Sequence, residues 1–136
     1  MRFVGAYQES RIRREWEGIA RWAKAKGVRT GKWFFSEDGS GPKYRFEMAI
    51  EVRSPAKSEG KIHIRTLPAS PAASVTFNPD EVSPRVVYHG LNDWLRWQKK
   101  EKAIRRVRTY REVYTANPWT DARAWSHTEI QVLVTK

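Results

Sequence analysis

The order of strand-like and helix-like patterns along this 136-residue chain is the same in its two halves. Apolar residues recur every three or four positions over residues 11–26 and again from Ser83-Pro84 to about Lys102, which predicts two amphipathic helices. Ser followed by Pro is typical of a helix start, with Ser as the cap and Pro at the first helical position. One strand-like segment precedes each helix and two follow it, over residues 3–7, 32–37 and 44–53 in the first half and 73–78, 108–115 and 127–135 in the second. The chain therefore predicts an α+β fold.

Short residue motifs repeat along with the patterns. Arg21-Trp22 in the first helix corresponds to Arg96-Trp97 in the second, and Phe46-Glu47-Met48 corresponds to Thr128-Glu129-Ile130. This weak repetition predicts two β-α-β-β units side by side, related by pseudo-symmetry. Elements that each have one apolar face pack in layers, so we expect both helices on one face of an antiparallel sheet. The other face then offers a ligand groove.

The length of the chain corresponds to one domain, residues 1–136, with half-repeats at about 1–55 and 60–136. Ile62 and Ile64 predict a further strand over residues 61–67, in the connection between the halves. Cysteine is absent, which excludes disulfides and cysteine nucleophiles. The chain has no apolar run of membrane-span length and no secretory signal pattern, so we expect a cytoplasmic protein without a membrane partner.

The charge of the chain is strongly positive. Lys and Arg number 26 against 15 acidic residues, a formal net charge of +11, and residues 96–111 alone contain eight basic residues and one Glu. Such a balance favours polyanions, so nonspecific nucleic-acid binding is one possible function. A solvated helix face explains the same run without any function, and no nucleic-acid-binding motif accompanies it. Both interpretations stay open.

Two carboxylates occupy equivalent places in the repeat. Glu47 and Glu129 lie on strand faces opposite the apolar stripes, so we expect both to face the groove. A carboxylate among aromatic rings is partly desolvated, which raises its pKa and prepares it to pair with a cation or to activate water. The alternative is that both are ordinary solvent-facing strand residues.

Seven tryptophans in one small domain indicate either an aromatic core or an aromatic-walled site. The aromatic residues expected to border the groove are Trp33, Phe35, Tyr114, Trp119 and Trp125. Among them, Trp33 and Phe35 fit the core better than the wall, whereas Trp119 and Trp125 lie in a loop that could close over a ligand. The helical Trp16 and Trp94 are expected to face the core.

Other chemistry finds little support in the sequence. His63, His89 and His127 do not have metal-ligand spacing, so no metal is expected. The chain contains no Gly-rich phosphate loop and no Gly-x-Ser-x-Gly motif, which disfavours the common nucleotide enzymes and hydrolases. No cofactor is expected.

Five short motifs carry a family resemblance. They are Gly5-Ala6-Tyr7, Trp94-Leu95, Glu112-Val113-Tyr114, Asn117-Pro118 and Thr128-Glu129-Ile130. Their order and spacing resemble the GyrI-like effector-binding domains over nearly the whole chain, and best from about residue 73 onward.

The resemblance implies a tandem β-α-β-β fold with a central cleft for lipophilic, often cationic or aromatic, small molecules, held by a buried Glu and stacked aromatics. We therefore expect a stand-alone binding protein, monomeric or homodimeric, that senses or sequesters such compounds. Its expected ligand-binding residues are Glu47, Glu129, Tyr114, Trp119, Trp125, Trp33 and Phe35. A subset with a similar fold hydrolyses cyclopropane-containing genotoxins, so a hydrolase in which Glu47 and Glu129 activate water is the alternative.

Overall fold

The computed structural model describes residues 2–4, 9–38 and 45–136, which form six strands and three helices. The motif Gly5-Ala6-Tyr7 lies outside the described residues. The elements follow in the order β1 (Arg2–Val4), α1 (Glu9–Ala25), β2 (Thr30–Asp38), β3 (Arg45–Val52), β4 (Ala72–Phe77), α2 (Pro84–Lys100), β5 (Arg106–Tyr114), α3 (Ala122–Ser126) and β6 (Thr128–Thr135).

The strands form one sheet in the order β1-β3-β2-β5-β6-β4, and every neighbouring pair is antiparallel. The strands β2 and β5 lie at its centre, where Phe35 stands opposite Glu112 and Glu37 opposite Tyr110. The predicted α+β class and antiparallel sheet are confirmed. The strands on either side of each helix also begin and end within a few residues of their predicted bounds.

Both long helices pack on the same face of this sheet. Ile12, Trp16 and Ile19 of α1 are buried against an aromatic cluster on β2, β3 and β5, formed by Trp33, Phe35, Phe46, Met48 and Tyr114. Leu91 and Leu95 of α2 are buried against a separate aliphatic cluster, which includes Ile130, Val132 and Val134 of β6. Phe35 is opposite Glu112, and Glu112 is opposite Ile130, so the two clusters share one face.

Trp16 is the centre of the aromatic cluster. Its ring lies 5.3 Å from that of Trp33, 5.9 Å from that of Tyr114 and 5.5 Å from that of Trp119, measured between centroids. Its indole N–H donates to the Ala49 carbonyl oxygen over 3.1 Å. Because the buried polar atom has a partner and the ring touches several elements, Trp16 couples α1 to the sheet.

The strand predicted over residues 61–67 is wrong. Residues 53–71, which we call the strap, are irregular, and their only described bridge joins Glu59 to Ile62. Ile62 and Ile64 are half-buried while the residues between and beside them are exposed, so the extended chain lies against the protein without pairing in the sheet. The period of two therefore reflects one covered side of an extended segment.

The predicted loop over residues 117–126 contains the short helix α3. Its start is fixed by Asp121, whose carboxylate accepts hydrogen bonds from the backbone N–H groups of Arg123 and Ala124.

The expected core position of Trp94 is also wrong. Leu91 and Leu95 occupy the centre of the buried face of α2, and Trp94 stands at its margin with 44% of its surface exposed. Trp97 is 55% exposed. The helical spacing identified the buried face of α2 correctly, but it also placed Trp94 on that face.

Replacing Trp16 by Ala is expected to lower the free energy of unfolding by about 3–5 kcal/mol, because it removes a fully buried ring with several ring partners. Trp94→Ala is the matched control, and it should cost less than about 1 kcal/mol because 44% of its surface is already exposed at the margin of the packed face. Urea denaturation of both variants measures the difference. Similar losses in the two variants would contradict this packing.

Candidate functional site

The sheet separates the residues expected to form one groove. Glu47 stands opposite Ser36, and Glu129 stands opposite Val113, on the face away from the helices. The residues Trp33, Phe35 and Tyr114 lie on the helix side instead. The two carboxylates therefore face where the alternation predicted, but the expectation that they share a groove with these aromatics is wrong, because the sheet lies between them.

Three of the predicted aromatic residues belong to the core. Trp33, Phe35 and Tyr114 are at most 7% exposed and pack around Trp16. For Trp33 and Phe35 this matches the interpretation that the sequence favoured. Tyr114 differs from them because its hydroxyl reaches a carboxylate, that of Glu112.

Trp119 and Trp125 are half-buried and tie their loop to α1 and to the segment that precedes α2. The ring of Trp119 packs edge-on against Trp16, and its indole N–H donates to Glu9 of α1 over 3.4 Å. The indole N–H of Trp125 donates over 3.1 Å to Asp80, which precedes α2. The segment from Asn117 to α3 is thereby tied to both sides of the space between α1 and α2.

A cavity of about 920 Å³ extends between the strap and the sheet face that carries Glu47. Its walls include Phe34, Ile62, Ile64, Arg111 and Leu133, together with Glu47 itself. The carboxylates here are neutralised, since Glu47 pairs with Arg65 of the strap and Glu51 accepts from Arg53 over 2.9 Å.

Glu129 belongs to a polar row on the same sheet face. Its carboxylate accepts a hydrogen bond from the Gln131 amide, whose oxygen accepts from Arg111 Nε over 2.6 Å. Burial lowers the pKa of the Arg111 guanidinium, and the charge of Glu129 opposes that shift. Arg111 also stands over the Phe34 ring, 5.3 Å from its centroid.

On the helix side, Glu112 is the centre of a second polar group. Its Oε1 accepts from the Tyr88 hydroxyl over 3.1 Å, and its Oε2 accepts from the Tyr114 hydroxyl over 2.7 Å. Glu37 and Tyr110 stand opposite each other beside it on β2 and β5. We call these five residues the carboxylate–tyrosine cluster: Glu37, Tyr88, Tyr110, Glu112 and Tyr114.

The pleat of the sheet explains why these side chains meet. Alternate residues of β5 face the same side, which places Tyr110, Glu112 and Tyr114 together under the helices. Tyr88 of α2 reaches Glu112, and one turn later Asn92 accepts from the Tyr110 hydroxyl over 2.6 Å. This side of α2 therefore faces the sheet centre, and the cluster lies along the seam between α1 and α2.

The cluster carries negative charge that no described cation neutralises. Burial raises the pKa of Glu37, and the charge of Glu112 raises it further. Burial, followed by the charges of Glu112 and Glu37, raises the pKa of Tyr88. In the part of the chain that the structure describes, neither carboxylate forms an ion pair with Lys or Arg. Glu37 and Glu112 are nevertheless half-exposed, so a ligand can reach them.

Sequence reasoning missed Glu37 and Glu112 as site residues. Carboxylates were expected on the faces opposite the apolar stripes, because the surface beneath a helix is normally apolar. The available signal was the alternation itself, since Glu112 shares a strand face with Tyr110 and Tyr114. Glu112 is the first residue of the motif Glu112-Val113-Tyr114, but the motif alone indicates no role for this carboxylate.

A comparison of the chain with protein-family models, curated proteins and solved structures finds no match. The described residues contain no cluster of three or more His, Asp or Glu side chains placed to hold a metal ion. Within those residues, none of the helices combines the length and apolarity that crossing a membrane requires.

Glu37→Gln is expected to stabilise the protein at neutral pH. The folded-state pKa of Glu37 lies above its ordinary value of 4.5, so the folded state holds this proton more tightly than the unfolded state does. The free energy of unfolding of the wild type therefore falls as pH rises from about 4.5 through the folded pKa, and Gln removes that loss. Urea denaturation at a series of pH values, with wild type and variant compared at each, measures the effect.

Glu51→Gln is the control of opposite sign. The Arg53 hydrogen bond holds the pKa of Glu51 below 4.5, so its contribution to stability is present above that pH and lost as pH falls. We expect this variant to be slightly less stable than the wild type at neutral pH. A loss of stability in Glu37→Gln at neutral pH would contradict the electrostatic description of the cluster.

Proposed function

We propose that the protein binds lipophilic aromatic small molecules, preferably cationic ones, without covalent chemistry at the carboxylate–tyrosine cluster. One observation carries the proposal: Glu37 and Glu112, on the aromatic side of the sheet, have no described cationic partner in a chain of net charge +11. Two desolvated carboxylates side by side repel each other, and a bound cation removes that repulsion. The biological role is sensing or sequestration of such compounds.

The surroundings of the cluster suit a flat ligand. The hydroxyl of Tyr114 donates a hydrogen bond to Glu112. The ring of Tyr114 packs against Trp16, which in turn contacts Trp119. A ligand whose positive charge is at Glu112 would find aromatic surface close by. Cation–π attraction adds about 0.5–2 kcal/mol where the cation is desolvated. Trp119 and Trp125, which tie the loop to α1 and to the segment before α2, are the proposed walls.

The positive charge of the chain does not oppose this role. Exposed charges are screened over about 8 Å at physiological salt, whereas half-buried charges act on a ligand in direct contact. Glu37 and Glu112 therefore set the local potential of the seam.

We further infer that the fold consists of two β-α-β-β units related by a pseudo-twofold axis between β2 and β5. The strand order supports this, since β1-β3-β2 on one side of the sheet corresponds to β4-β6-β5 on the other. The axis would pass beside the cluster, which then lies where the units meet. This arrangement agrees with membership of the GyrI-like family, which also stays a proposal.

The cavity beneath the strap is the competing location for a ligand. Its volume of about 920 Å³ suits a small molecule, but Glu47 and Glu51 are already paired with Arg65 and Arg53. A cation gains little from carboxylates whose charge is compensated. We therefore favour the seam as the site for cations. The binding test below distinguishes the seam from the cavity beneath the strap.

The binding test uses ethidium as a planar cation and phenanthridine as a neutral molecule with the same ring system, both titrated by intrinsic Trp fluorescence. Glu112→Gln is expected to weaken ethidium binding about tenfold or more while leaving phenanthridine nearly unchanged, because only the cation uses the charge. Glu47→Gln and Glu129→Gln are the matched controls and should behave like the wild type. Loss of binding in Glu47→Gln alone would place the ligand beneath the strap.

Hydrolysis of a reactive xenobiotic is the second candidate function, and the raised pKa of Glu37 favours it. A carboxylate with a raised pKa is suited to take a proton from water as the water oxygen bonds to one ring carbon. The ring C–C bond then breaks, and the carboxyl returns the proton to the carbon that is released. If the protein is such a hydrolase, a bound cyclopropane-containing compound will be converted to its ring-opened, hydrated product by the wild type. Glu37→Gln should then abolish turnover while retaining binding, and absence of product with the wild type would exclude this function for the compound tested.

A further inference from the structure

The outward half of α2 carries an apolar stripe beside a basic one. Val86, Trp94 and Trp97 are 63%, 44% and 55% exposed. Two exposed Trp side chains on one helix are unusual, because Trp is highly buried on average. At about 100° per residue, Arg85, His89, Arg96 and Lys100 form a neighbouring row on the same half of the helix. The stripe of exposed rings thus has positive charge along one side.

Positive charge also gathers at the end of the helix, immediately after Trp97. The exposed basic residues here are Lys99, Lys100, Lys102, Arg105 and Arg106, against one carboxylate, that of Glu101. None of these five forms an ion pair with another described residue. Arg96 is the exception on this surface, because it pairs with Asp93. Lys99 lies on the side of α2 that carries Asn92, and Arg106 faces the other side of the sheet, since its neighbour Val107 packs against the aliphatic cluster under α2. We call Trp94, Trp97, Lys100, Lys102 and Arg105 the α2 surface.

The α2 surface is separate from the carboxylate–tyrosine cluster. Tyr88 and Asn92 turn one side of α2 toward β5 and the seam. Trp94 and Gly90 lie on the other side of the helix, by the same helical arithmetic, and therefore face away from the seam. The two surfaces can act independently, so a role for the α2 surface does not rest on the proposed function.

We propose that the α2 surface binds single-stranded nucleic acid, with bases stacked on Trp94 and Trp97 and phosphates held by the basic residues that follow. Proteins that bind single strands combine exposed aromatic rings with Lys and Arg. The rings stack on the bases, each of which has a π-face, and the basic side chains attract the negative charge of each nucleotide. The rings are about 4.5 Å apart along the helix axis, against about 3.4 Å per nucleotide of a strand, so both can engage neighbouring bases.

A duplex fits this surface less well. Paired bases are stacked on one another and offer ring faces only at the ends of the duplex, so exposed indoles gain nothing from them. The basic residues would still attract duplex phosphates, but without the contribution of Trp94 and Trp97.

An anionic membrane fits less well too. The main apolar face of α2, with Leu91 and Leu95, is already buried on the sheet, so the helix cannot lie in a lipid interface on that face. Stacking on bases makes no demand for a continuous apolar face.

The test measures fluorescence anisotropy of a labelled oligothymidylate with the full chain, at low and at physiological salt. A duplex of the same length, phosphatidylserine vesicles and polyglutamate are tested as competitors. Trp97→Ala and Trp94→Ala should each weaken single-strand binding about fivefold or more at constant salt, with little change in thermal unfolding. Leu67→Ala, which removes an apolar side chain that is 54% exposed on the strap, is the control and should bind like the wild type.

Two double variants that each remove two positive charges distinguish binding at a local site from a general effect of the net charge. Lys100→Gln with Lys102→Gln should weaken binding and reduce the slope of log affinity against log salt by about 0.7 for each phosphate that is no longer neutralised. Arg14→Gln with Arg21→Gln removes the same charge from the exposed side of α1 and should have a much smaller effect.

Three results would overturn the proposal. Equal losses in the two double variants, with no effect of the Trp substitutions, would mean that only net charge attracts the oligonucleotide. A preference for the duplex would remove the role of the rings. Binding to vesicles or polyglutamate that depends on Trp94 and Trp97, without oligonucleotide binding, would assign the surface to a lipid or protein partner instead.

Discussion

The antiparallel pairing of β2 with β5 is the constraint on which the rest of this structure depends. It is the strand pairing that joins the two halves of the sheet, and it sets Phe35 opposite Glu112 and Glu37 opposite Tyr110. A slip of one residue would move the side chains of one strand to the other face. The carboxylate–tyrosine cluster exists because this register places Glu37 and Glu112 together under the helices.

Charge is distributed unevenly between the interior and the surface of this basic protein. The described ion pairs lie on the outside, on α1, on α2 and around the strap. Glu112 is half-buried and accepts hydrogen bonds from two tyrosine hydroxyls, while burial raises the pKa of the half-buried Glu37. Tyrosine suits this position because it donates a hydrogen bond without neutralising the charge. The negative potential of the seam is therefore preserved, which is what a cation-binding site requires.

Local patterns are enough to predict the α+β class and the positions of most elements, and the failures have physical causes. Helical spacing locates α1 and α2, and the alternation over residues 44–53 locates β3, because each of these elements has one buried face. The strap resembles a strand in sequence because an extended segment with one covered side has the same period as a strand. The core position predicted for Trp94 is wrong because helical spacing indicates which way a side chain points but not how deeply it is buried. The alternation places Glu112 beside Tyr110 and Tyr114, but the rest of its environment depends on β2 and α2, which are distant along the chain.

The irregular strap has a consequence for how the two halves of the chain find each other. Among the described residues, four of the five strand pairings lie within residues 2–52 or within residues 72–135, and the pairing of β2 with β5 joins these two segments. The strap covalently tethers two segments that otherwise meet as binding partners, and it raises their effective concentration to a level that a bimolecular encounter would not reach. Loop-closure entropy grows only with the logarithm of loop length, so this advantage changes little as the strap is lengthened. The tethering thus depends little on the length of the strap, whereas the contacts of Ile62, Ile64 and Arg65 with the sheet face depend on its sequence.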